Sequence, residues 1–203
     1  MNAVLRADPG AAGLDAAAAA MAAALAQITV EVRSASGRRG AAGASVGAGV
    51  IWHPDGLILT NAHVARDDVV VVLADGRGRA ARLIARDPAR DLAALVVDAH
   101  GLPAAAIGAS GALRVGELVL AVGNPFGLAR ALSAGLVHAV DGRVVQADLR
   151  LAPGNSGGPL ADARGRVVGL NTMVVGGLAV AVPSEVARGF VRDQLRAHAA
   201  RRG

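Results

Sequence analysis

The chain alternates between short apolar runs and turn-forming residues, with a helical pattern near each end. Six runs in the first half and five in the second have the length of β-strands. Turn residues separate them roughly every 8 to 12 positions, which is typical of an all-β sandwich or barrel protein. The predicted strands are 28–32, 49–52, 57–59, 69–73, 80–85, 93–97, 118–122, 134–140, 144–147, 167–171 and 178–182.

Residues 101–112 contain Gly, Pro and Ala with little periodicity, so we place a link between two β lobes there. The chain then divides into an N-terminal helical segment, 1–27, and one domain, 28–203. Within this domain we expect two lobes of about six strands each and a final helix whose start is favoured by a serine followed by an acidic residue. The boundaries are 28–100 for the first lobe, 113–183 for the second and 184–202 for the helix.

The alanine-rich stretch 16–30 has two interpretations. Alanine is the best helix former and Asp15 stands where an N-cap would, so we expect a short helix. The triplet at 24–26 (ALA) is compatible with a signal-peptidase site, but acidic residues precede it where a signal peptide carries positive charge. A cytoplasmic and a periplasmic location therefore both stay open. No uncharged apolar run reaches the ~18 to 20 residues of a membrane span.

The composition excludes several kinds of site. With 203 residues, 53% of them hydrophobic, the chain can bury a substantial core. The absence of cysteine excludes disulfides, a thiolate nucleophile, a thiolate zinc site and an iron–sulfur cluster. The absence of lysine excludes Schiff-base and P-loop chemistry. We expect neither a metal nor a cofactor.

The charge pattern gives little support for nucleic-acid binding. The isoelectric point is near 11.4, but the net charge is only +5, and all 21 basic residues are arginines scattered along the chain. Trp52, Phe126 and Phe190 are the whole aromatic inventory, which offers few stacking platforms. We expect no nucleic-acid partner.

The segment 153–160 (PGNSGGPL) surrounds Ser156 with glycines. Glycines permit the tight turn that presents a nucleophilic hydroxyl and leaves backbone N–H groups free for an oxyanion. Such a serine needs a base, and the base needs an orienting carboxylate. Asp91 begins an apolar run and can lie at the base of a cleft, whereas Asp87 precedes a proline and suits a turn. The residues leave the choice of base open among His53, His63, His100, His138 and His198.

Three ordered motifs resemble the trypsin-like serine proteases of the HtrA/Deg family. They are 60–64 (TNAHV), 91–95 (DLAAL) and 154–160 (GNSGGPL). The stretches 47–51, 122–128 and 169–172 with 181–184 agree as well, so the resemblance covers about residues 28–190. It implies a chymotrypsin-like fold of two perpendicular β-barrels with the site in the cleft between them.

The resemblance also implies an activity and its residues. The activity is that of a serine endopeptidase acting on unfolded or extended polypeptides through an acyl-enzyme. Ser156 would be the nucleophile, His63 the base and Asp91 the orienting carboxylate, and the N–H groups of Gly154 and Ser156 would form the oxyanion hole. The residues implied to contact substrate are Arg150, Asn155, Thr172, Met173 and Val174.

Two features depart from the family pattern. The family usually continues into PDZ domains, whereas this sequence ends at Gly203, so we expect a protease domain alone. Arg150 stands where trypsin-like enzymes have the floor of the specificity pocket. We expect it to face solvent and small aliphatic residues to precede the cut; if it pointed into the pocket, acidic residues would be preferred. A binding or chaperone-like module with low or conditional turnover is the alternative function, and homo-oligomers stay open.

Overall fold

The described part of the chain forms two closed six-stranded antiparallel barrels and two α-helices. The computed structural model describes residues 9–34, 45–66, 68–128 and 130–200. The helices are α1 (Pro9–Ile28), before the first barrel, and α2 (Ser184–Ala200), after the second. Neither helix of these ranges combines the length and hydropathy needed to cross a bilayer.

The strands of each barrel follow one another along the chain. The first barrel has the spatial order β1-β2-β3-β6-β5-β4, and the second has β10-β11-β12-β9-β8-β7. The first barrel consists of β1 (Thr29–Ser34), β2 (Ser45–His53), β3 (Leu57–Thr60), β4 (Val69–Val72), β5 (Gly78–Asp87) and β6 (Leu92–Val97). The second consists of β7 (Leu118–Gly123), β8 (Ala131–Val140), β9 (Val145–Asp148), β10 (Pro159–Asp162), β11 (Val167–Val175) and β12 (Leu178–Pro183).

The all-β fold class with two barrels is confirmed, and each predicted strand is present with its ends shifted by at most a few residues. Strand β10 was not predicted, because its four residues (PLAD) are all buried and show no alternation after the glycine-rich turn. The N-terminal helix is confirmed, and it begins at Pro9, before the N-cap expected at Asp15. Proline suits the first turn of a helix, and the alanines that follow extend it.

Strands between the two barrels are buried on both faces. In β6, Ala93, Leu95 and Val97 pack inside the first barrel, while Leu92 and Ala94 face the second barrel. Such a strand reads as a continuous apolar run instead of an alternating one. The same pattern in β7 brings the walls of the two barrels into direct contact.

A single apolar cluster joins the barrels and both helices. It combines residues of α1, both barrel walls and α2, and its largest side chain is Phe190, which is 1% exposed. Its buried members are Leu25, Ile28, Val50, Leu59, Leu92, Ala94, Leu120, Val122, Ala161, Val167, Leu170, Val182, Ala187 and Phe190. Because α2 returns from the second barrel to this layer, the C-terminal helix fixes the first barrel against the second.

We expect Phe190→Ala to lower the free energy of unfolding by about 3–5 kcal/mol, since it empties a buried aromatic site between the barrels. Phe126→Ala is the matched control, because Phe126 is 80% exposed. Urea denaturation of the two variants measures the difference. An equal loss of unfolding free energy in the two variants would show that packing between the barrels does not depend on α2.

Candidate active site

His63 and Asp91 meet where two neighbouring strands of the first barrel end and begin. Strand β3 ends at Thr60, shortly before His63, and β6 begins directly after Asp91. Thr60 pairs with Ala93, so the register of the two strands brings both side chains to the same edge. His63 Nδ1 lies 2.9 Å and 3.0 Å from the two carboxylate oxygens of Asp91, and the His63 backbone N–H donates to the same carboxylate at 3.1 Å.

The turn before β6 holds Asp91 in a left-handed backbone conformation, with φ of +51°. Asp87 Oδ1 accepts hydrogen bonds from the backbone N–H groups of Ala89 and Arg90 at 3.0 Å and 3.1 Å, as expected of a turn aspartate. Asn61 Nδ2 donates to the carbonyl oxygen of Asp91 at 3.0 Å. Asn61 therefore fixes the peptide that carries the carboxylate.

Thr172 connects the second barrel to this pair. Its hydroxyl donates to Asp91 Oδ2, and its carbonyl oxygen accepts a hydrogen bond from Ser156 Oγ at 2.9 Å. The strand pairing shifts register between Asn171 and Met173, so Thr172 sits at a bulge in β11. A bulge re-aims a side chain, and here it turns the hydroxyl toward the first barrel.

The loop that carries Ser156 is tied to both barrels. The Ser156 carbonyl oxygen accepts a hydrogen bond from Ala48 N–H at 2.8 Å, and Gly157 N–H donates to Asn171 O at 2.7 Å. Gly157 has φ of +86°, and a Cβ there would lie 2.2 Å from Ala48 O. Only glycine allows this approach, so the sequence Ser-Gly-Gly is a packing requirement of the loop.

The peptide N–H groups of Gly154 and Ser156 donate to no acceptor within the described residues. The N–H of Asn155 between them donates to Ala152 O at 3.0 Å. Gly154 has φ of +106°, and a Cβ there would lie 2.1 Å from Asn124 O. The loop thus leaves two N–H groups near the Ser156 hydroxyl that could donate hydrogen bonds to an oxygen atom of a ligand.

The structure brings His63 and Asp91 into contact but does not join Ser156 to His63. Among the described contacts, Ser156 Oγ has Thr172 O as its partner, and no hydrogen bond links it to the imidazole. Hydrogen bonds between a nucleophile and its base are often long before substrate binds. Thr172 nevertheless connects the two, because it contacts both the Ser156 hydroxyl and the Asp91 carboxylate.

A pocket of about 340 Å³ opens beside Ser156. Its walls are mostly apolar, and among the residues predicted to contact substrate Asn155, Thr172, Met173 and Val174 line it. Met173 and Val174 are about half exposed, and beyond Asn171 no described strand pairs with the outer edge of β11. Arg150 is exposed and lines a neighbouring cavity rather than this pocket.

Burial and hydrogen bonding act in opposite directions on Asp91. Burial raises the pKa of its carboxyl, but the hydrogen bonds from His63 and Thr172 outweigh this effect and hold the pKa below the usual range. Asp91 therefore stays ionised at neutral pH, with His63 Nδ1 and the Thr172 hydroxyl as partners of its carboxylate.

Sequence reasoning missed the roles of Asn61 and Thr172. Asn61 lies two positions before His63 and shortly after a predicted strand, and an amide that becomes buried at such a position needs a hydrogen-bond partner. For Thr172, the signal was a hydroxyl beside Asn171 in a strand whose other residues are apolar. Neither partner could be named, because Asp91 is 30 residues away from Asn61 and 81 away from Thr172.

Two β-barrels, one with a histidine–aspartate pair and the other with a serine in a glycine-rich loop, define the class of trypsin-like serine peptidases. The model of the trypsin-like peptidase domain family matches residues 47–170, and the chain belongs to this family. It is also similar to HtrA-type proteins.

A probable periplasmic DegP-like serine endoprotease of Ectopseudomonas mendocina is 41% identical over 169 residues, which is 75% of this chain and 35% of that protein. One of Halomonas elongata is 40% identical, again over 75% of this chain and 35% of the relative. The chain thus spans about a third of the length of these curated relatives.

Solved structures agree in fold. The HtrA-type protease AlgW with a tripeptide superposes with a TM-score of 0.79 at 33% identity, over 86% of this chain and 62% of that one. AlgW with a decapeptide has a TM-score of 0.77 at 29% identity, over 88% and 67% of the two chains. The trypsin-like serine peptidase family expected from the sequence motifs is therefore confirmed, and the chain is similar to HtrA-type proteases.

We expect Gly157→Ala to destabilise the protein by about 1–3 kcal/mol, because alanine is strained at this positive φ and its Cβ has no room. Gly111→Ala is the control, since a Cβ there meets nothing within 4 Å. Thermal melts of both variants provide the measurement, and a Gly157→Ala protein as stable as its control would contradict the close approach to Ala48.

Asp91 should make folding stability depend on pH. Because its pKa is lower in the folded than in the unfolded chain, its contribution is complete above the usual aspartate pKa. The contribution is lost as the pH falls from about 4 toward the lowered folded pKa. Asp91→Asn should therefore be less stable than the unaltered protein at pH 7, and the gap should narrow below about pH 4.

Urea midpoints at pH 7, 5, 4 and 3.5 test this expectation. Asp98→Asn serves as the control, because the Asp98 side chain is exposed and has no ion pair among the described residues. A gap that stays constant with pH would mean that the Asp91 hydrogen bonds do not favour its charged form.

Proposed function

We propose that the chain is a serine endopeptidase that cleaves unfolded or extended polypeptides. The observation that supports the proposal is the pair of contacts made by Thr172, whose hydroxyl donates to Asp91 and whose carbonyl oxygen accepts from Ser156 Oγ. Ser156 is the proposed nucleophile, His63 the general base and Asp91 the group that orients it.

The carboxylate of Asp91 beside Nδ1 supports a tautomer that carries a proton on Nδ1, so that Nε2 is the ring nitrogen that accepts a proton from Ser156. In the first step Ser156 Oγ attacks the peptide carbonyl carbon and its proton moves to Nε2. The imidazolium then gives this proton to the leaving amine as the C–N bond breaks, and an acyl-enzyme remains. Water adds to the acyl carbon by the reverse proton path and releases Ser156 with the acid product.

The two unengaged N–H groups of Gly154 and Ser156 support an oxyanion hole. Each attack places negative charge on the former carbonyl oxygen, and donors already aimed at that position need not reorganise during the reaction. The Gly154 peptide is held by a hydrogen bond from Asn124 N–H to Gly154 O at 3.0 Å, which supports a fixed direction of these donors.

Substrate recognition is proposed to use the open edge of β11. An extended peptide would add to Thr172, Met173 and Val174 as a further strand, which selects for extended rather than folded chains. The 340 Å³ pocket is walled by Leu151, Ala152 and other small or apolar residues. Its size and lining favour a small aliphatic side chain before the cut.

A second candidate function is a binding module with low or conditional turnover. The observation in its favour is the hydrogen bond from Ser156 Oγ to Thr172 O, which occupies the proton that His63 must remove. In such a resting state the peptide edge of β11 would be available while the nucleophile is not.

The cellular setting is proposed from the relatives. The E. mendocina and H. elongata proteins are named as periplasmic, which favours the bacterial cell envelope for this chain and unfolded envelope proteins as its substrates.

We expect Ser156→Ala to lower the rate of casein hydrolysis by about 10⁴- to 10⁶-fold, because no other hydroxyl occupies the loop. A gel assay with unfolded casein measures this, and circular dichroism should show an unaltered fold. A fluorophosphonate probe should label the unaltered chain and not the variant.

The same experiment separates the two candidates. Cleavage that persists in Ser156→Ala would contradict the proposed nucleophile. An unaltered chain that binds casein but neither cleaves it nor reacts with the probe would favour the binding module.

A further inference from the structure

A second cavity, of about 810 Å³, adjoins the pocket at Ser156. The two share the wall residues Leu151, Ala152, Asn155 and Val174, so a peptide lying along β11 passes both. The remaining lining residues of the larger cavity are Pro125, Ser133, Ala134, Asp148, Leu149, Arg150 and Gly177. Two of them carry charge, Arg150 and Asp148.

Arg150 has an exposed side chain, and its guanidinium makes no ion pair or hydrogen bond to another described residue. Asp148 lies two positions earlier at the end of β9, yet no N–O distance of 4.0 Å or less joins the two side chains. Exposed arginines elsewhere in the chain, such as Arg114 with Glu117 and Arg166 with Asp162, do have carboxylate partners. The cation of Arg150 is therefore available to a ligand.

A guanidinium binds a carboxylate through two parallel N–H···O contacts, and it remains charged at every physiological pH. The other walls of the cavity are uncharged, apart from Asp148, which opposes an incoming anion. A ligand that matches this arrangement is a side chain with a single carboxylate that extends from a peptide on β11 into the larger cavity and reaches Arg150.

We propose that this cavity is a subsite for an acidic side chain of the substrate, with Arg150 as its specificity-determining residue. The acidic residue, Asp or Glu, lies within three positions of the cut, while the small pocket takes the aliphatic residue. This inference rests on the proposed peptidase function and narrows its substrates to chains in which small aliphatic and acidic residues occur close together.

Fluorogenic peptides of one extended sequence test the subsite. Each position within three residues of an aliphatic cleavage site is changed in turn to Asp, Glu, Asn or Gln, and kcat/KM is measured for each peptide. At one position the acidic peptides should be favoured over their amides by about two- to fivefold, as for an exposed ion pair. The preference should shrink in 1 M NaCl, where exposed charges are screened.

Variants assign this preference to the cavity. Arg150→Gln should bring the ratio of acidic to amide peptides to about one, and Arg150→Glu should invert it. Asp148→Asn should raise the ratio, because it removes the opposing carboxylate. Arg143→Gln, the matched control, removes an exposed arginine that does not line the cavity and should leave the ratio unchanged.

If turnover is slow, the rate of covalent labelling by peptide phosphonates of the same sequences replaces kcat/KM. A protein that reacts with the neutral peptides but shows no acidic preference, or keeps the preference in Arg150→Gln, overturns the subsite and leaves the peptidase function intact. A protein that neither cleaves any peptide nor reacts with any phosphonate overturns both.

Discussion

The apolar layer between the barrels is the constraint on which the candidate site depends. His63 and Asp91 belong to the first barrel, and Ser156 and Thr172 belong to the second. The chain has no cysteine, so no disulfide fixes one barrel against the other. Packing of α1, both barrel walls and Phe190 of α2 must therefore keep the two halves of the site in register. A shift of the barrels by an ångström would break the Thr172–Asp91 contact before it disturbed either barrel.

The charge of Asp91 is balanced by donors from both barrels. The first barrel supplies the ring Nδ1–H and the backbone N–H of His63, and the second supplies the hydroxyl of Thr172. A partly buried carboxylate without such donors would be costly and would take up a proton. The carboxylate thus accepts hydrogen bonds from both barrels, and its lowered pKa depends on donors from both of them.

Much of the fold could be predicted from the sequence, because alternation and turn residues are local signals. The hairpin of β2 and β3 and the strands of the first lobe show this clearly. Strand β10 was not predicted, since all four of its residues are buried between neighbouring strands and show no alternation of apolar and polar residues. For the candidate site, periodicity left five histidines open, and only the motif resemblance singled out His63. Contacts made by Asn61 and Thr172 depend on a left-handed turn and a bulge, which pattern reasoning does not place.

The hydrogen bond between Ser156 and Thr172 connects the two candidate functions. Under the proposed function, a peptide that adds to the edge of β11 brings backbone N–H groups to the carbonyl oxygens that face it, and Thr172 O is the first of these. Such a peptide competes with the Ser156 hydroxyl for the same acceptor. Binding of the peptide would free the Ser156 hydroxyl to turn toward His63. The imidazole of His63 is held by Asp91, which in turn accepts a hydrogen bond from the Thr172 hydroxyl. Under the proposed function, low turnover without a well-paired peptide and efficient cleavage with one would be two states of the same site, linked through the two contacts of Thr172.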